Sequence, residues 1–161
     1  LLRVYKGNIG HRLIDRGCLD EGIHLLRAHL EHMREKTRGR LNLPPTIWNL
    51  GNVALARGEF SKAFDLFEEA RSHSRQAGAQ NWLAIMGSLT AACLWLLGDH
   101  EAARTTLVSH LIDTTPKTVL QSVPVQIQGS VWLLLGEPEK AAPMWAAVHQ
   151  MEDASGCVRA A

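Results

Sequence analysis

Cysteine is scarce in this chain. Its 161 residues hold three, Cys18, Cys93 and Cys157. The count is odd, the residues stand far apart, and no C-x-x-C pair occurs. A disulfide framework or a zinc ribbon is therefore not expected, and reduced thiols in a cytoplasm are the simple reading. No apolar run reaches the roughly 18 residues of a membrane span, so no membrane association is expected. The chain starts on Leu1 with no signal-peptide pattern after it, and we expect a fragment of a larger protein. Common catalytic motifs are missing: no G-x-S-x-G, no H-E-x-x-H and no G-x-x-x-x-G-K-[ST] occurs. Gly7-Asn8-Ile9-Gly10 is only a piece of a dinucleotide loop. Without a nucleophile, a base and a charge stabiliser to converge, the expectation is a protein that is not an enzyme and takes no cofactor. Net charge is near +1, which gives no global argument for nucleic acid. The charge is uneven, however: residues 1–40 hold nine Lys/Arg against five Asp/Glu, and the rest hold eight against eleven.

What the chain does have is apolar content, 46%, and a repeat. Gly17, Gly58, Gly98 and Gly136 are separated by 41, 40 and 38 residues. Seven residues before each stand Gly10, Gly51, Ala91 and Gly129. Five after stand Gly22, Ala63, Ala103 and Ala141, and nine after stand Leu26, Phe67, Leu107 and Trp145. Self-similarity at a fixed period marks a solenoid. Each unit reads as helix, tight turn, helix. The small residue of the first helix lies where the second crosses, the small residue of the second receives the first, and the large one fills the groove between them. Gly51 would cost a helix about 1 kcal/mol relative to alanine, a cost explained if a neighbouring helix needs the space. One such pair cannot bury its apolar face alone, so neighbours must stack.

The first helices are predicted near residues 3–16, 45–57, 80–97 and 119–135, and the second near 19–38, 60–77, 100–113 and 138–152. Leu19, Ile23, Leu26, Leu30 and Met33 show the helical spacing. Leu43-Pro44-Pro45, Ala77-Gly78-Ala79 and Thr114-Thr115-Pro116 read as breaks between units. No alternating strand pattern occurs. Pro143 lies past the first turn of the last helix and is expected to kink it.

Asn49-Leu50-Gly51-Asn52, Gly58-Glu59-Phe60, Ala63, Phe67 and Ala70 resemble a tetratricopeptide repeat, and the other three units resemble it more weakly. The resemblance implies an all-α, right-handed α-α superhelix: a single repeat domain over residues 1–161 with units near 1–40, 41–78, 79–116 and 117–156. The usual repeat is 34 residues, so 38–41 implies longer helices. Ala77 to Trp82 and Trp95 to Asp99 look like the long repeats of bacterial ATP-dependent LuxR-type and SARP-type regulators. There the array follows a nucleotide-binding domain as a sensor or interaction arm.

The resemblance also implies a peptide- or protein-binding groove on the concave face, lined by first helices. Its candidates are His11 and Asp15, then Trp48, Asn49 and Asn52, then Ser88, Ala92 and Trp95, then Gln126, Ser130 and Leu133. Trp48 and Trp95 are either anchors, since aromatics carry much interface energy, or core residues of crowded helices. The clamp of chaperone-tail-binding relatives is matched only at Asn49. Gly7, His11, Ile85 and Leu89 occupy its other places, so chaperone tails are not the expected ligand. A spacer or oligomerisation arm, and an arm sensing a small-molecule effector, are the alternatives.

Eight histidines are present. His29 and His32 with Glu35 share a helical face, but H-x-x-H alone is a weak metal signature, and no metal site is expected. His29 and His110 stand twelve residues after their turn glycine, where Ala70 and Val148 stand elsewhere, which predicts packing. The basic run Arg34 to Arg40 complements a helix C-terminus. It has no interleaved aromatics, so nucleic-acid binding is not expected. Beyond the last helix, Asp153 to Arg159 is too small to cover an apolar surface, and Leu1-Leu2 opens the chain. Self-association through uncovered ends or the Trp145 region is therefore expected.

Overall fold

The computed structural model describes residues 9–14, 16–35, 43–112, 115–116 and 118–154, and these residues are helices and turns. Asp15, Leu1, Leu2, Cys157 and residues 36–40 of the basic run lie outside the described residues, as do residues 155–159. The helices are α1 (residues 9–14), α2 (Leu19–Glu35), α3 (Leu43–Ala56), α4 (Phe60–Gln76), α5 (Gln80–Leu96), α6 (His100–Val108), α7 (Val119–Leu134) and α8 (Pro138–Ala154). This is an all-α helical repeat. The chain divides into two compact units, Leu1–Ala79 and Gln80–Ala161, each holding two of the helix pairs read from the sequence.

Every pair turns at its predicted glycine. Gly58 has φ +73°, and Gly17, Gly98 and Gly136 share the positive sign. L side chains disfavour this left-handed backbone, and glycine does not. At Gly58 the conformation lets the Glu59 N–H donate to the Ala54 carbonyl at 2.9 Å, closing a Schellman motif over the free end of α3. The same bond recurs from Cys18 to Leu13, from Asp99 to Leu94 and from Glu137 to Trp132, each at 2.9 Å. Asp99 then starts α6, its carboxylate accepting from the Ala102 N–H at 3.1 Å.

The crossings also fall on the repeat register. A methyl group added at Gly51 would lie 2.3 Å from Phe67 Cε1, closer than real contacts allow. Phe67, Ala63 and Ala70 are fully buried. At Gly10 such a methyl would meet the Gly22 carbonyl oxygen at 3.0 Å and Leu26 Cγ at 3.0 Å. At Gly129 it would meet Trp145 Nε1 at 2.9 Å. The opening cost of a helical glycine is thus the space its partner side chain occupies. The core of the first unit is built from Ile23, Leu26, Leu30, Ile47, Leu50 and Phe67. That of the second gathers Ala91, Ala103, Leu107, Val125, Trp132 and Val148.

The structure departs from the expected boundaries in instructive places. α3 begins at Leu43 and includes Pro44 and Pro45. The first-turn N–H groups of a helix have no partner to lose, so prolines fit there rather than breaking the chain. α6 ends at Val108, five residues short of the expectation. Buried Gln128 of α7 takes over instead: its amide donates to the His110 carbonyl at 2.7 Å, and its Oε1 accepts from the Ile112 N–H at 3.5 Å. α8 runs on through Pro143 to Ala154. The ring removes one bond to the Glu139 carbonyl, and both residues are exposed to water. α7 carries a comparable Pro124 that the sequence reading passed over.

Candidate functional site

Three of the sequence candidates converge. His11 of α1 and Asn49 and Asn52 of α3 line one cavity of about 230 Å³, together with Ile14, Leu19, Val53, Ala56 and Arg57. The register explains the meeting. Asn52 and His11 both stand six residues before their turn glycine, and Asn49 stands one helical turn earlier on the face of Asn52. Ile14, Leu19 and Val53 give the cleft an apolar wall. Asn49 and Asn52 are half-buried, and their side chains make no hydrogen bond among the described residues. Each amide therefore presents two donors and an acceptor to the cleft. Arg57 closes the rim, held by the Asp20 carboxylate at 3.0 Å.

The other candidates behave differently. Trp48 is half-buried. Ser88 is fully buried, and its hydroxyl donates to the Ala84 carbonyl at 2.8 Å. The projection that put Ser88 on an open face is corrected, because α5 is buried on several sides from Ala84 to Cys93. Trp95 packs against the core cluster of the second unit and meets the His100 ring, centroids 3.9 Å apart and planes tilted 55°. Gln126 is half-buried. Ser130 is exposed, its hydroxyl donating to the Gln126 carbonyl at 2.9 Å. Trp145 lies inside the α7–α8 crossing against Gly129, so its ring is committed to packing within its own unit. The structure does not describe Asp15.

Reactive chemistry is sparse. Burial pushes the Cys93 thiol up to about 12, which makes it a packed, inert sulfur. Burial, with His32 nearby, holds His29 below the ordinary imidazole value. No group of three His, Cys, Asp or Glu side chains that could hold a metal occurs among the described residues. Nor, among them, is any helix long and apolar enough to cross a membrane.

Sequence reasoning missed Gln128 as well as the fork of Arg34 on Glu69, which ties α2 to α4 at 2.7 and 3.1 Å. A glutamine in helical phase with the apolar Val125 and Trp132 was the available signal for the first. Nothing local announces the second, whose residues are 35 apart.

Residues 42–111, which span α3 to α6, match the family model of the tetratricopeptide repeat. No curated protein was found to match the chain. Tetratricopeptide repeats generally mediate protein–protein scaffolding and are generally not catalytic. Residues 42–111 are thus a tetratricopeptide repeat segment, and the same turn and crossing pattern recurs on either side of it.

Proposed function

We propose that the chain is a peptide-binding module whose ligand lies in the α1–α3 cleft. The observation that carries this reading is the pair Asn49 and Asn52, half-buried amides with unused donors and acceptors facing an apolar wall. An extended peptide offers alternating N–H and C=O groups, and asparagine amides can satisfy both kinds without regard to sequence. Ile14, Leu19 and Val53 would then select an apolar side chain, and His11 and Arg57 would bias the rim toward acidic residues. The second unit carries Leu89, Ala92, Ile127 and Ser130 at the same register, so it serves as support rather than as the main groove. The length of the repeats favours a parent of the bacterial regulator type, working in the cytoplasm, with this array as its interaction arm.

Peptide display against the whole chain tests the reading. Selected peptides should be extended, with an apolar residue beside acidic ones. Asn49→Ala with Asn52→Ala should weaken binding of the best peptide at least about tenfold, since each lost bond is worth about 1 kcal/mol. Unchanged affinity in the double variant would remove the cleft from the account.

A further inference from the structure

A second cavity, of about 260 Å³, lies between α2 and the α3–α4 pair. Its walls from Ile23, Leu30, Leu50, Val53, Ala54 and Leu66 are apolar. Its rim is charged, and the charges are unequally engaged. Arg34 forks on Glu69. Lys62 donates to Glu59 at 2.5 Å. Arg57 reaches only the Asp20 carboxylate, at 3.0 Å, and that side chain is 97% exposed. Water and salt compete freely with such a pair. Arg27 makes no hydrogen bond or ion pair among the described residues. Glu31 makes none either, and it stands one turn beyond Arg27 on α2.

Among the described residues Arg27 is thus unpaired at the rim, and Arg57 is held only by an exposed carboxylate that an incoming anion can displace. With the carboxylates of Asp20 and Glu31 nearby, the two guanidinium groups can accept a single negative charge and disfavour a dianion. The electrostatics agree. The hydrogen bond from Lys62, with Arg57 and Arg27 adding, holds the Glu59 carboxyl below its ordinary range against the opposing effect of burial. The volume also sets a limit. An apolar cavity of about 150 Å³ in another protein holds benzene, so this one has room for an aliphatic chain of about eight carbons.

We propose that this cavity binds an aliphatic monocarboxylate, its chain against Ile23, Leu30, Leu50 and Val53 and its carboxylate on the guanidinium groups of Arg27 and Arg57. The planar fork of arginine matches a carboxylate in two parallel hydrogen bonds. The site is distinct from the α1–α3 cleft, although Arg57 and Val53 line both.

Calorimetric titration of the whole chain with octanoate tests it, with octanol and octylammonium as partners of equal length and different charge. Octanoate should bind one to one and weaken as salt rises. Octanol should bind about tenfold more weakly or worse, and octylammonium should not bind. Arg27→Gln, an exposed substitution that leaves the packing intact, should weaken octanoate about tenfold. Ala54→Leu should fill the cavity and abolish binding, with the helical circular dichroism of each variant checked first. The Asn49→Ala, Asn52→Ala double variant should keep octanoate affinity whatever it does to peptides, which separates this site from the cleft. No heat at millimolar octanoate, equal binding of octanol, preference for octylammonium, or an unaffected Arg27→Gln would each overturn the proposal.

Discussion

In the α3–α4 pair, Gly51 lies under Phe67. In the α5–α6 pair, the same register holds Ala91 and Leu107, both fully buried. One turn deeper the sizes trade places. The first unit has Ile47 on α3 and Ala70 on α4. The second has Gly87 on α5, where a methyl group would lie 2.2 Å from the Cγ of His110. What the repeat preserves is the sum of two side chains across a crossing, while either helix can supply the bulk. Interiors are packed to crystal density, so a large residue is accommodated only where its opposite number is small. The α7–α8 pair extends the rule, with Gly129 against Trp145 in one layer and the matched Val125 and Val148 in the next.

The strongest way to break this comparison is to transplant one solution into the other. Gly51→Leu alone should destabilise by about 3 kcal/mol, the upper part of the overpacking range, because Phe67 is fully buried and cannot retreat. Gly51→Ala with Phe67→Leu would give α3–α4 the sizes of α5–α6. The double variant should be more stable than the sum of its single changes by about 1–3 kcal/mol. A double-mutant cycle by urea unfolding measures this, and simple additivity would show that the two positions do not share one space.

Next in size is Gln128, which belongs to the second unit. The first unit has Leu50 at the equivalent place, and the preceding α2 runs 17 residues where α6 runs nine. A long second helix satisfies its own backbone, whereas the short one hands its end to a buried side chain. Gln128→Leu should therefore cost about 1–3 kcal/mol by leaving the His110 carbonyl without its donor. Hydrogen exchange should localise the loosening to the end of α6. Loss spread evenly over both units would contradict the assignment.

The surface pair Arg34–Glu69 should matter less. Its side chains are 49% and 30% exposed. An Arg34→Ala, Glu69→Ala cycle should return about 1 kcal/mol or less, falling with added salt. A larger, salt-insensitive coupling would mean the fork sets the angle of α2 on α4 rather than decorating it.

The sequence was informative wherever a steric demand falls on one residue type. A left-handed turn asks for glycine, and a close crossing asks for a small residue opposite a large one, so Gly58, Gly51 and Phe67 announced their roles. His11, Asn49 and Asn52 were legible as neighbours because helical phase places them on one face. Ser88 was misplaced by the same phase argument, because phase gives direction but not depth, and α5 is buried on several sides. Gln128, the Arg34 fork and the cavity beneath Arg27 depend on residues far apart in the chain. No local pattern encodes their meeting.

The smallest expected effect separates His29 from the packed residues that share its register. It stands where Ala70 stands in α4, half-buried, and burial first, then His32, lowers its pKa from the ordinary 6.5. The folded protein therefore holds the imidazole neutral at a pH where the unfolded chain would protonate it. Well above 6.5 both states are neutral and His29 contributes nothing that depends on pH. As pH falls through 6.5 toward the lower folded value, the unfolded chain gains a proton that the fold resists, and stability declines. Melting temperatures from about pH 7.5 to about pH 5.5 should fall, and His29→Gln should fall less over that window while differing from the parent by a constant above it. The mutation's own packing cost appears at every pH, so only the change in the difference reports the titration. A difference that stayed constant from the top of the range to the bottom would show that the fold does not resist protonation at His29.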